Sequence, residues 1–536
     1  MNLTIVLEDE KKELQVNNDS KKSLLEILID NNISIESDCG GIGKCDKCKV
    51  RVRELSREYR ACELKICNLY KSINEARNIK GEGASIECST IEILRDSFSS
   101  DMKIEGADKS YTDEIVRKEP SDCCEGAMIK GREVALAIDI GTTTIVFALI
   151  DDTGNVIDTL GMTNSQHLYG ADVISRIKAA SSGKKDVLRK CVVDDLIQGI
   201  RGICTDNGTS VVRLNIIVIA GNTTMCHILM GYDCSSLGVY PYTPVNINTI
   251  VTDTQKLLGF QEDIPVIIPP GFTTYVGADI TSGVFALEKD NKETFLLIDL
   301  GTNGEMVLVN KDRILVSSTA AGPAFEGGNI SCGVASISGA ISHVTIDKTG
   351  MVFFETIGKS KPIGICGSGL LDAIYEFREN GYIDENGLFI DKYFEEGFKL
   401  YGGIRISQDD IRHFQMAKAA VRAGLEILLQ ELNLTYENID TLYIAGGFGS
   451  GIDVRKAAGV GLIPRELLIK SEAIGNSSLG GAIKIANHVM YGINKYTFNK
   501  ENVNIEEIDK LTSSAREIDL SRHDEFKEKY MEYMYI

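Results

Sequence analysis

The amino-acid sequence predicts an α/β protein built from several domains, and three patterns support this prediction. A loop rich in glycine and cysteine follows a short strand-and-helix pattern near the N-terminus. Two apolar strands, far apart in the chain, end in the same Asp-x-Gly-Thr turn. A polar stretch without hydrophobic periodicity lies between the cysteine loop and the first of these turns, as expected of a linker. The 536 residues are enough for about three or four domains.

Charge and composition exclude several functional classes. The chain has 57 Lys and Arg against 77 Asp and Glu, a formal net charge of -20, so most of its surface repels nucleic acid. The first ten residues lack the basic and apolar regions of a signal peptide. The longest apolar run, residues 134–150, contains Asp139 and would span a membrane poorly. Because 14 cysteines without an export signal favour reduced thiols, we expect a cytoplasmic protein with no membrane or nucleic-acid partner.

The first forty residues are predicted to form a small mixed unit. Leu3, Ile5 and Leu7 alternate with other residues, as in a half-buried strand. Residues 13–16 could return as a hairpin partner of this strand. Residues 23–31 have leucine and isoleucine at helical spacing, which predicts a helix before the cysteine loop.

The cysteine loop has the spacing of metal ligands. Three glycines in the first gap of its Cys-x5-Cys-x2-Cys pattern would let the backbone wrap closely around a cluster and point N–H groups at its sulfides. A [2Fe-2S] cluster needs four thiolates. Three of these thiolates come from the loop, and the fourth has three candidates. A structural zinc site is the alternative to an iron-sulfur cluster, because zinc also binds Cys-x2-Cys pairs. The loop ligands are Cys39, Cys45 and Cys48, and the candidates for the fourth are Cys62, Cys67 and Cys88.

This segment resembles a [2Fe-2S] ferredoxin domain of the plant and adrenodoxin type, which implies a β-grasp fold. The segment Arg60-Ala61-Cys62-Glu63 is similar to the family's fourth-ligand segment, so Cys62 is preferred over Cys67. Thirteen residues separate Cys48 from Cys62, fewer than such ferredoxins usually have.

The Asp-x-Gly-Thr turns after Asp139 and Asp299 are one motif written twice, 160 positions apart, and predict two related lobes. In such a turn the glycine allows close approach, N–H and hydroxyl groups bind phosphate, and the carboxylate holds Mg2+ through water. A third glycine turn follows the apolar strand that ends at Ala445.

The charged last forty residues have spaced apolar positions and predict peripheral helices. The expected divisions are a first domain at 1–92, a linker at 93–131, lobe segments at 132–212 and 213–495, and a helical tail at 496–536.

Together, these turns resemble the actin, hexokinase and Hsp70 ATPase superfamily, in which two RNase-H-like lobes hold ATP. The resemblance implies two phosphate loops, with Asp139 and Asp299 as catalytic carboxylates, and an adenosine loop. The first loop would comprise Asp139, Gly141, Thr142 and Thr143, the second Asp299, Gly301, Thr302 and Asn303, and the adenosine loop Gly446, Gly447 and Phe448.

Four further segments are similar to reductive activators of corrinoid proteins: residues 169–177, 220–227, 364–372 and 415–420. This resemblance covers residues 1 to about 485, and it implies an ATP-hydrolysing protein that uses Mg2+. Its [2Fe-2S] cluster would pass one electron to the cob(II)alamin of a corrinoid protein in a methyltransferase system, restoring Co(I). An upstream electron donor is also implied, and a homodimer is consistent with such relatives.

Several residues have two interpretations each. Gly367 and Ser368 open a helix that could bind an anion, or they form a tight packing turn. Asn222 belongs to a further phosphate-side loop or caps a helix. His227 is expected to be a core histidine, and Glu305 either orients a water molecule or is structural.

Other functions remain open from sequence alone. One alternative is a small-metabolite kinase of the same superfamily with a regulatory iron-sulfur domain, which would need a carboxylate base for a substrate hydroxyl. Another is a chaperone-like, nucleotide-dependent interaction protein. An activator of dehydratases is related in chemistry, but the loop between Cys39 and Cys48 argues against it.

Overall fold

The computed structural model describes most of the chain but leaves out the cysteine loop and nearly all of the predicted linker. No helix in the described part has the length and apolar character that a membrane crossing requires. Cys39 and Cys45 lie outside the described residues. The described ranges are 1–7, 10–31, 33, 35, 48–55, 57–79, 88–93, 133–287, 293–311, 313–492 and 506–536.

The N-terminal domain is a five-stranded mixed sheet with two helices, in the order β2-β1-β5-β3-β4. Leu3 and Ile5 are buried, as the alternating pattern predicts. Ser23 caps the first helix in a capping box with Glu26, which fixes where the helix begins. The elements are β1 (Asn2–Leu7), β2 (Glu10–Gln15), α1 (Leu24–Asp30), β3 (Lys49–Val52), β4 (Arg57–Arg60), α2 (Ile66–Ile79) and β5 (Cys88–Ile93).

The first lobe contains a six-stranded sheet in the order β10-β11-β9-β6-β7-β8. β6, β7 and β8 form an antiparallel meander, and β9 and β11 then add in parallel. The boundary predicted between residues 212 and 213 falls inside this sheet, just before β9. The elements are β6 (Val134–Ile140), β7 (Thr144–Asp151), β8 (Val156–Thr163), α3 (Val173–Ala179), α4 (Lys185–Asp206), β9 (Leu214–Gly221), α5 (Thr223–Met230), β10 (Ile250–Asp253), α6 (Thr254–Leu258), β11 (Pro265–Ile268) and α7 (Ala278–Leu287).

The second lobe repeats this arrangement with the order β21-β20-β12-β13-β14-β22, in which β22 is the strand Ala515–Glu517. β12, β13 and β14 again form a meander, and β20 and β21 again add in parallel. The two lobes predicted from the repeated turn are therefore present. The elements up to the second crossing helix are β12 (Thr294–Leu300), β13 (Gly304–Asn310), β14 (Arg313–Thr319), β15 (Ala340–Ile346), β16 (Val352–Thr356), β17 (Gly364–Ile365), α8 (Gly367–Glu379), α9 (Asp391–Phe394), β18 (Phe398–Tyr401), β19 (Ile404–Ile406), α10 (Gln408–Glu431), β20 (Thr441–Ala445), α11 (Val454–Gly459), β21 (Ser471–Gly475) and α12 (Ser477–Gly492).

Two helices cross between the lobes. α7 follows the first sheet, but its Ile280 and Val284 pack with Leu297 in the core of the second sheet. α12 follows the second sheet, but its Ala482 packs with Ala137 in the core of the first. Because each lobe contributes a helix to the core of the other, the lobes are joined by buried apolar surface as well as by the chain.

The C-terminal segment is more than a peripheral helical tail. Its helices α13 (Glu506–Ser513) and α14 (Phe526–Glu532) agree with the prediction, and Ile508 and Leu511 are buried. The strand β22 (Ala515–Glu517) between them was not predicted, and it extends the second sheet in parallel with β14. A strand of three residues is too short to show a hydrophobic period.

Replacing Gly481 by alanine is expected to destabilise the protein, because a Cβ atom there would lie 1.9 Å from the carbonyl oxygen of Ser282 where α7 and α12 cross. Alanine is favoured over glycine inside a helix by about 1 kcal/mol, whereas overpacking costs about 1–3 kcal/mol, and here the contacted atom is backbone. The midpoint of thermal unfolding should fall. Gly403→Ala, whose Cβ atom would meet nothing within 4 Å, is the control. An unchanged or raised midpoint for Gly481→Ala would contradict the close crossing.

Candidate functional site

Three turns lie at the carboxyl ends of central parallel strands. In the second sheet Asp299 of β12 pairs with Ala445 of β20, so the turns that follow these strands are neighbours. In the first sheet Ile140 pairs with Gly221, so the end of β9 lies beside the turn after β6. The three turns are at residues 141–143, 301–303 and 446–448.

The first turn is closed by its own backbone. The Gly141 N–H donates to the carbonyl oxygen of Thr144 at 2.9 Å, and a Cβ atom on Gly141 would lie 2.7 Å from that oxygen. Thr142 accepts a hydrogen bond at Oγ1 from Asn222 Nδ2 at 3.3 Å. Thr143 is exposed. The turn therefore presents its outer backbone to solvent, as a phosphate loop would.

Asp139, at the end of β6, is held by the segment that returns from the second sheet. Its Oδ2 accepts from Asn476 Nδ2 at 2.8 Å, and its Oδ1 accepts from the Ser478 hydroxyl at 2.7 Å. Burial nevertheless raises the pKa of Asp139. This carboxyl group of the first lobe is therefore positioned by residues at the start of α12.

The second turn is held by an acidic partner. The Gly301 N–H donates to the Asn303 carbonyl oxygen at 3.1 Å, and the Thr302 hydroxyl donates to the Glu326 carboxylate. Burial raises the pKa of Glu326. A phosphate at this turn would compete with Glu326 for the threonine hydroxyl.

The third turn approaches Asp299 closely. Gly446 has a φ of +92°, and a Cβ atom on it would lie 2.6 Å from Asp299 Oδ1, so both backbone conformation and space require glycine. Gly447 is exposed. The Phe448 ring is buried in the second lobe, with its centroid 4.9 Å from that of Phe325. Only the backbone of Phe448 could therefore face an adenosine, as the side chain belongs to the core.

Five carboxyl groups from both lobes lie near one another, and their pKa values are raised mainly by burial. Burial and the nearby Asp139 raise the pKa of Asp279 to about 7. Burial and its acidic neighbours, with Asp279 first among them, raise the pKa of Asp299 to about 8. The pKa of Glu305 is well above its ordinary value for the same reasons. No positive group contributes to the shifts of these five: Asp139, Asp279, Asp299, Glu305 and Glu326.

The cluster fits a divalent cation held through other ligands. Among the described residues, no three acidic, histidine or cysteine side chains are arranged as a ready-made metal site. Mg2+ usually keeps several waters and binds one or two carboxylates together with substrate phosphates. Uncompensated carboxyl groups around two phosphate-type turns match that chemistry.

Gly367 and Ser368 are placed by packing. A Cβ atom on Gly367 would lie 1.8 Å from the Phe325 carbonyl oxygen, and the Ser368 hydroxyl donates to the Ser342 carbonyl oxygen at 3.0 Å. Both residues are buried at the start of α8. Of the two interpretations, these contacts favour the packing turn.

The start of α5 decides between the two interpretations of Asn222 and between the two of His227. Asn222 caps α5 by accepting from the Met225 N–H at 2.9 Å. His227 is buried; its Nδ1 bonds the Thr223 carbonyl oxygen at 2.8 Å, and its Nε2 accepts from the Val245 N–H at 3.0 Å. The core assignment of His227 is confirmed, and Asn222 is a cap that also contacts the first turn.

Two of the predicted cluster ligands are adjacent. The Sγ atoms of Cys48 and Cys62 are 3.3 Å apart, and the Ala61 N–H donates to the Cys48 carbonyl oxygen at 2.8 Å. Cys48 is buried and Cys62 is half-buried. The contact with Cys62 lowers the pKa of Cys48 to about 6, which favours the thiolate that a metal binds.

The alternative fourth ligands are placed differently. The Cys67 N–H donates to the Ser20 carbonyl oxygen at 3.0 Å, and its Sγ contacts Asn68 Oδ1 at 3.7 Å. Cys88 begins β5, and its side chain lies outside the described set. Proximity to Cys48 thus supports Cys62, which stays a prediction.

Five residues of the cleft were missed by the sequence analysis. Asp279 had a signal, because Gly277-Ala278-Asp279 repeats Gly170-Ala171-Asp172. Glu326 also had one, since it stands before two glycines in an otherwise apolar turn. The others reach the cleft only through tertiary packing: Arg176, Asn476 and Ser478.

The fold and the cleft define a class of protein in which a small N-terminal domain is followed in the chain by two lobes of the actin, hexokinase and Hsp70 type. Family models agree along the chain. Residues 293–536 match the C-terminal ASKHA domain of RACo, and residues 134–292 match the RACo middle region. Residues 7–69 match the 2Fe-2S iron-sulfur cluster binding domain.

Two curated relatives and one solved structure match between 64% and 100% of this chain. The corrinoid activation enzyme RamQ of Eubacterium limosum is 30% identical over 530 residues, covering 83% of this chain and 86% of RamQ. The [Co(II) methylated amine-specific corrinoid protein] reductase of Methanosarcina barkeri is 26% identical over 384 residues, covering 64% and 68%. A solved structure of a reductive activator for a corrinoid, iron-sulfur protein is 28% identical, with a TM-score of 0.67, covering 100% of this chain and 98% of that one. The chain therefore belongs to the RACo family of corrinoid reductive activators, and the fold expected from its sequence is confirmed.

Replacing Asp279 by asparagine should make the stability of the ligand-free protein depend less on pH. The folded-state pKa of Asp279, about 7, lies above the ordinary value of 3.8, so the folded chain keeps a proton that the unfolded chain loses. The stability linked to this proton is greatest below the lower pKa and is lost as pH rises through the higher one, by up to about 1.4 kcal/mol per pH unit. Chemical denaturation should therefore show a larger gain for Asp279→Asn at about pH 8 than at about pH 5.

The matched control for this measurement is Glu466→Gln, which removes an exposed carboxylate. It should change stability little at either pH. An equal gain for Asp279→Asn at both pH values would show that its proton is not linked to folding.

Cys62→Ala should abolish the iron-sulfur cluster, whereas Cys67→Ala should retain it. The reason is that Cys62 Sγ is 3.3 Å from Cys48 Sγ, while Cys67 contacts Asn68. Iron and acid-labile sulfide per chain, with the EPR spectrum of the reduced protein, measure the difference. Loss of the signal in Cys67→Ala and not in Cys62→Ala would reassign the ligand, and zinc in the wild type would exclude the cluster.

Proposed function

We propose that this chain is an ATP-dependent reductive activator that returns the cob(II)alamin of a corrinoid protein to Co(I), the form that accepts a methyl group. The observation that supports it most is the joining, in one chain, of a thiol pair in a 2Fe-2S domain with an acidic cleft between two ATPase-type lobes. The relatives named above are corrinoid activators or reductases rather than kinases. We therefore do not retain the kinase alternative.

In this proposal the cleft binds ATP with Mg2+. Asp139 and Asp299 hold the cation through its waters, and the first two turns bind phosphate oxygens with N–H and hydroxyl groups. The absent side chain of Gly446 leaves room beside Asp299. A divalent cation would offset the effects of burial and of acidic neighbours that raise the pKa values of the carboxyl groups.

Glu305 would orient the water for ATP hydrolysis. It pairs with Asp299 across β12 and β13, so it stands next to the proposed cation site. Burial, followed by the neighbouring Asp299 and Asp279, raises its pKa well above the ordinary value, which favours the protonated form over the carboxylate. A cation bound nearby would lower that pKa and so favour the carboxylate, the form that can accept a hydrogen bond from the water.

The contacts between the lobes would transmit the nucleotide state. Asp139 of the first lobe is bonded to Asn476 and Ser478, which follow the second sheet. A change at the phosphates therefore acts on both lobes through α12. Such a change can shift the partner's cobalt equilibrium only by as much as the partner's affinity differs between nucleotide states.

Cys39, Cys45, Cys48 and Cys62 would hold the cluster in the N-terminal domain. When bound, a [2Fe-2S] cluster supplies a one-electron carrier. Cys48 is buried and Cys62 is half-buried, so a group held by both would lie at the edge of the N-terminal core. The half-buried Cys62 would leave this site within reach of a donor and of the corrinoid protein.

The formation of Co(I) should depend on ATP. In an anaerobic mixture of the cluster-loaded chain, a low-potential reductant and a corrinoid protein loaded with cob(II)alamin, MgATP should increase the yield of Co(I), followed by its absorbance. Asp139→Asn should lose most of the increase, because its amide cannot replace a carboxylate near Mg2+. Glu466→Gln, with an exposed side chain, should behave as wild type. Equal Co(I) with and without MgATP would contradict the coupling, and robust phosphorylation of a metabolite would restore the kinase alternative.

A further inference from the structure

Arg176 is a buried guanidinium directly behind the first turn. It lies in α3, and its exposed fraction is 0%. Its Nη2 donates to the Thr142 carbonyl oxygen, and its Nε donates to the Gly170 carbonyl oxygen at 2.9 Å. Its Nη1 donates to Gln166 Oε1 at 3.1 Å. Arg176 therefore ties the turn to α3 and to the segment before that helix.

These acceptors carry no formal charge. The remaining polar contact is from Nη1 to Met225 Sδ at 3.0 Å. Asp172 and Asp195 act on Arg176 only through space, and burial, the largest effect, lowers its pKa to about 9, which still leaves it charged at neutral pH. A buried charge that no carboxylate pairs with is costly. A negative ligand near the turn would add to the attraction that Asp172 and Asp195 supply only through space.

The bond to Thr142 also sets the direction of the next backbone donor. In a trans peptide the carbonyl oxygen and the following N–H point in opposite directions. Since the Thr142 carbonyl oxygen faces Arg176, the Thr143 N–H faces away from it. In the described part of the chain that N–H has no acceptor, and Thr143 is exposed. The peptide thus places a guanidinium on one side and a free donor on the other.

We infer that Arg176 is a positioning residue for nucleotide phosphates: it fixes the Thr142 peptide so that the Thr143 N–H faces the ligand, and its charge attracts the phosphate groups. This inference rests on the proposed nucleotide function of the cleft and adds to it the residue that sets affinity for phosphate charge. At an effective dielectric constant of about 20, a unit charge directly behind the turn would change the affinity for a phosphate by about tenfold or more.

Calorimetric titration with ATP, ADP and adenosine, each with Mg2+, tests the inference on the full-length chain. Arg176→Met should weaken ATP binding by about tenfold or more, weaken ADP binding less, and leave adenosine binding unchanged, because the lost attraction scales with phosphate charge. Arg176→Lys keeps the charge and should recover part of the ATP affinity. A residue that only stabilises the lobe would not produce this dependence on charge.

Arg189 offers a matched control in the same lobe. It lies in α4 and donates to the carbonyl oxygens of Leu229 at 3.0 Å and Leu257 at 3.3 Å, near the other end of α5. Arg189→Met should bind all three ligands as wild type does. Thermal unfolding of each variant checks folding; if Arg176→Met does not fold, the neutral Arg176→Gln replaces it in the same three titrations.

The outcomes separate the inference from the proposal beneath it. Wild-type protein that binds no ATP would refute the proposed function whatever Arg176 does. If wild-type protein binds ATP, two results for Arg176→Met would overturn the inference but not the proposed function. One is ATP affinity equal to that of wild type, and the other is a loss of ATP and adenosine affinity by the same factor. The same outcomes in Arg176→Gln would overturn the inference if that variant replaces Arg176→Met.

Discussion

The burial of carboxyl groups between the lobes is the constraint on which the rest of this structure depends. Asp139 and Asp299 end the central strands of the two sheets, and Asp279 begins a helix that crosses between them. Keeping these groups together without a cation costs free energy. The exchange of α7 and α12 between the cores, and the bonds from Asn476 and Ser478 to Asp139, oppose that cost. In the proposed function, a cation bound with phosphates would offset this cost.

The N-terminal domain and the two lobes have separate hydrophobic cores. The N-terminal domain has its own hydrophobic core, which contains Cys48 and packs against Cys62. The lobes have separate cores joined by the crossing helices. The proposed cluster site and the proposed nucleotide site thus lie in different packing units, so a cluster-ligand substitution and a cleft substitution should be separable in their effects.

The features that could be predicted from the sequence are those encoded by residues close together in the chain. The Asp-x-Gly-Thr turns were predictable because their chemistry lies within a few residues, and so was the first strand with Leu3 and Ile5 buried. Residues assembled over long distances were not predictable, since Asn476 is 337 positions from Asp139. Phe448 illustrates the same limit: its motif predicted a loop that faces adenosine, but the contact of its ring with Phe325 in the core depends on tertiary packing.

The dependence of nucleotide binding on a divalent cation tests the central constraint most directly. Calorimetry and thermal unfolding of the wild-type chain can be compared with MgATP and with ATP in EDTA. We expect MgATP to bind and to raise the unfolding midpoint, and ATP without a divalent cation to bind far more weakly, because its charge adds to that of the buried carboxyl groups. Equal affinity in EDTA would contradict the proposal that these groups form a cation-dependent nucleotide site.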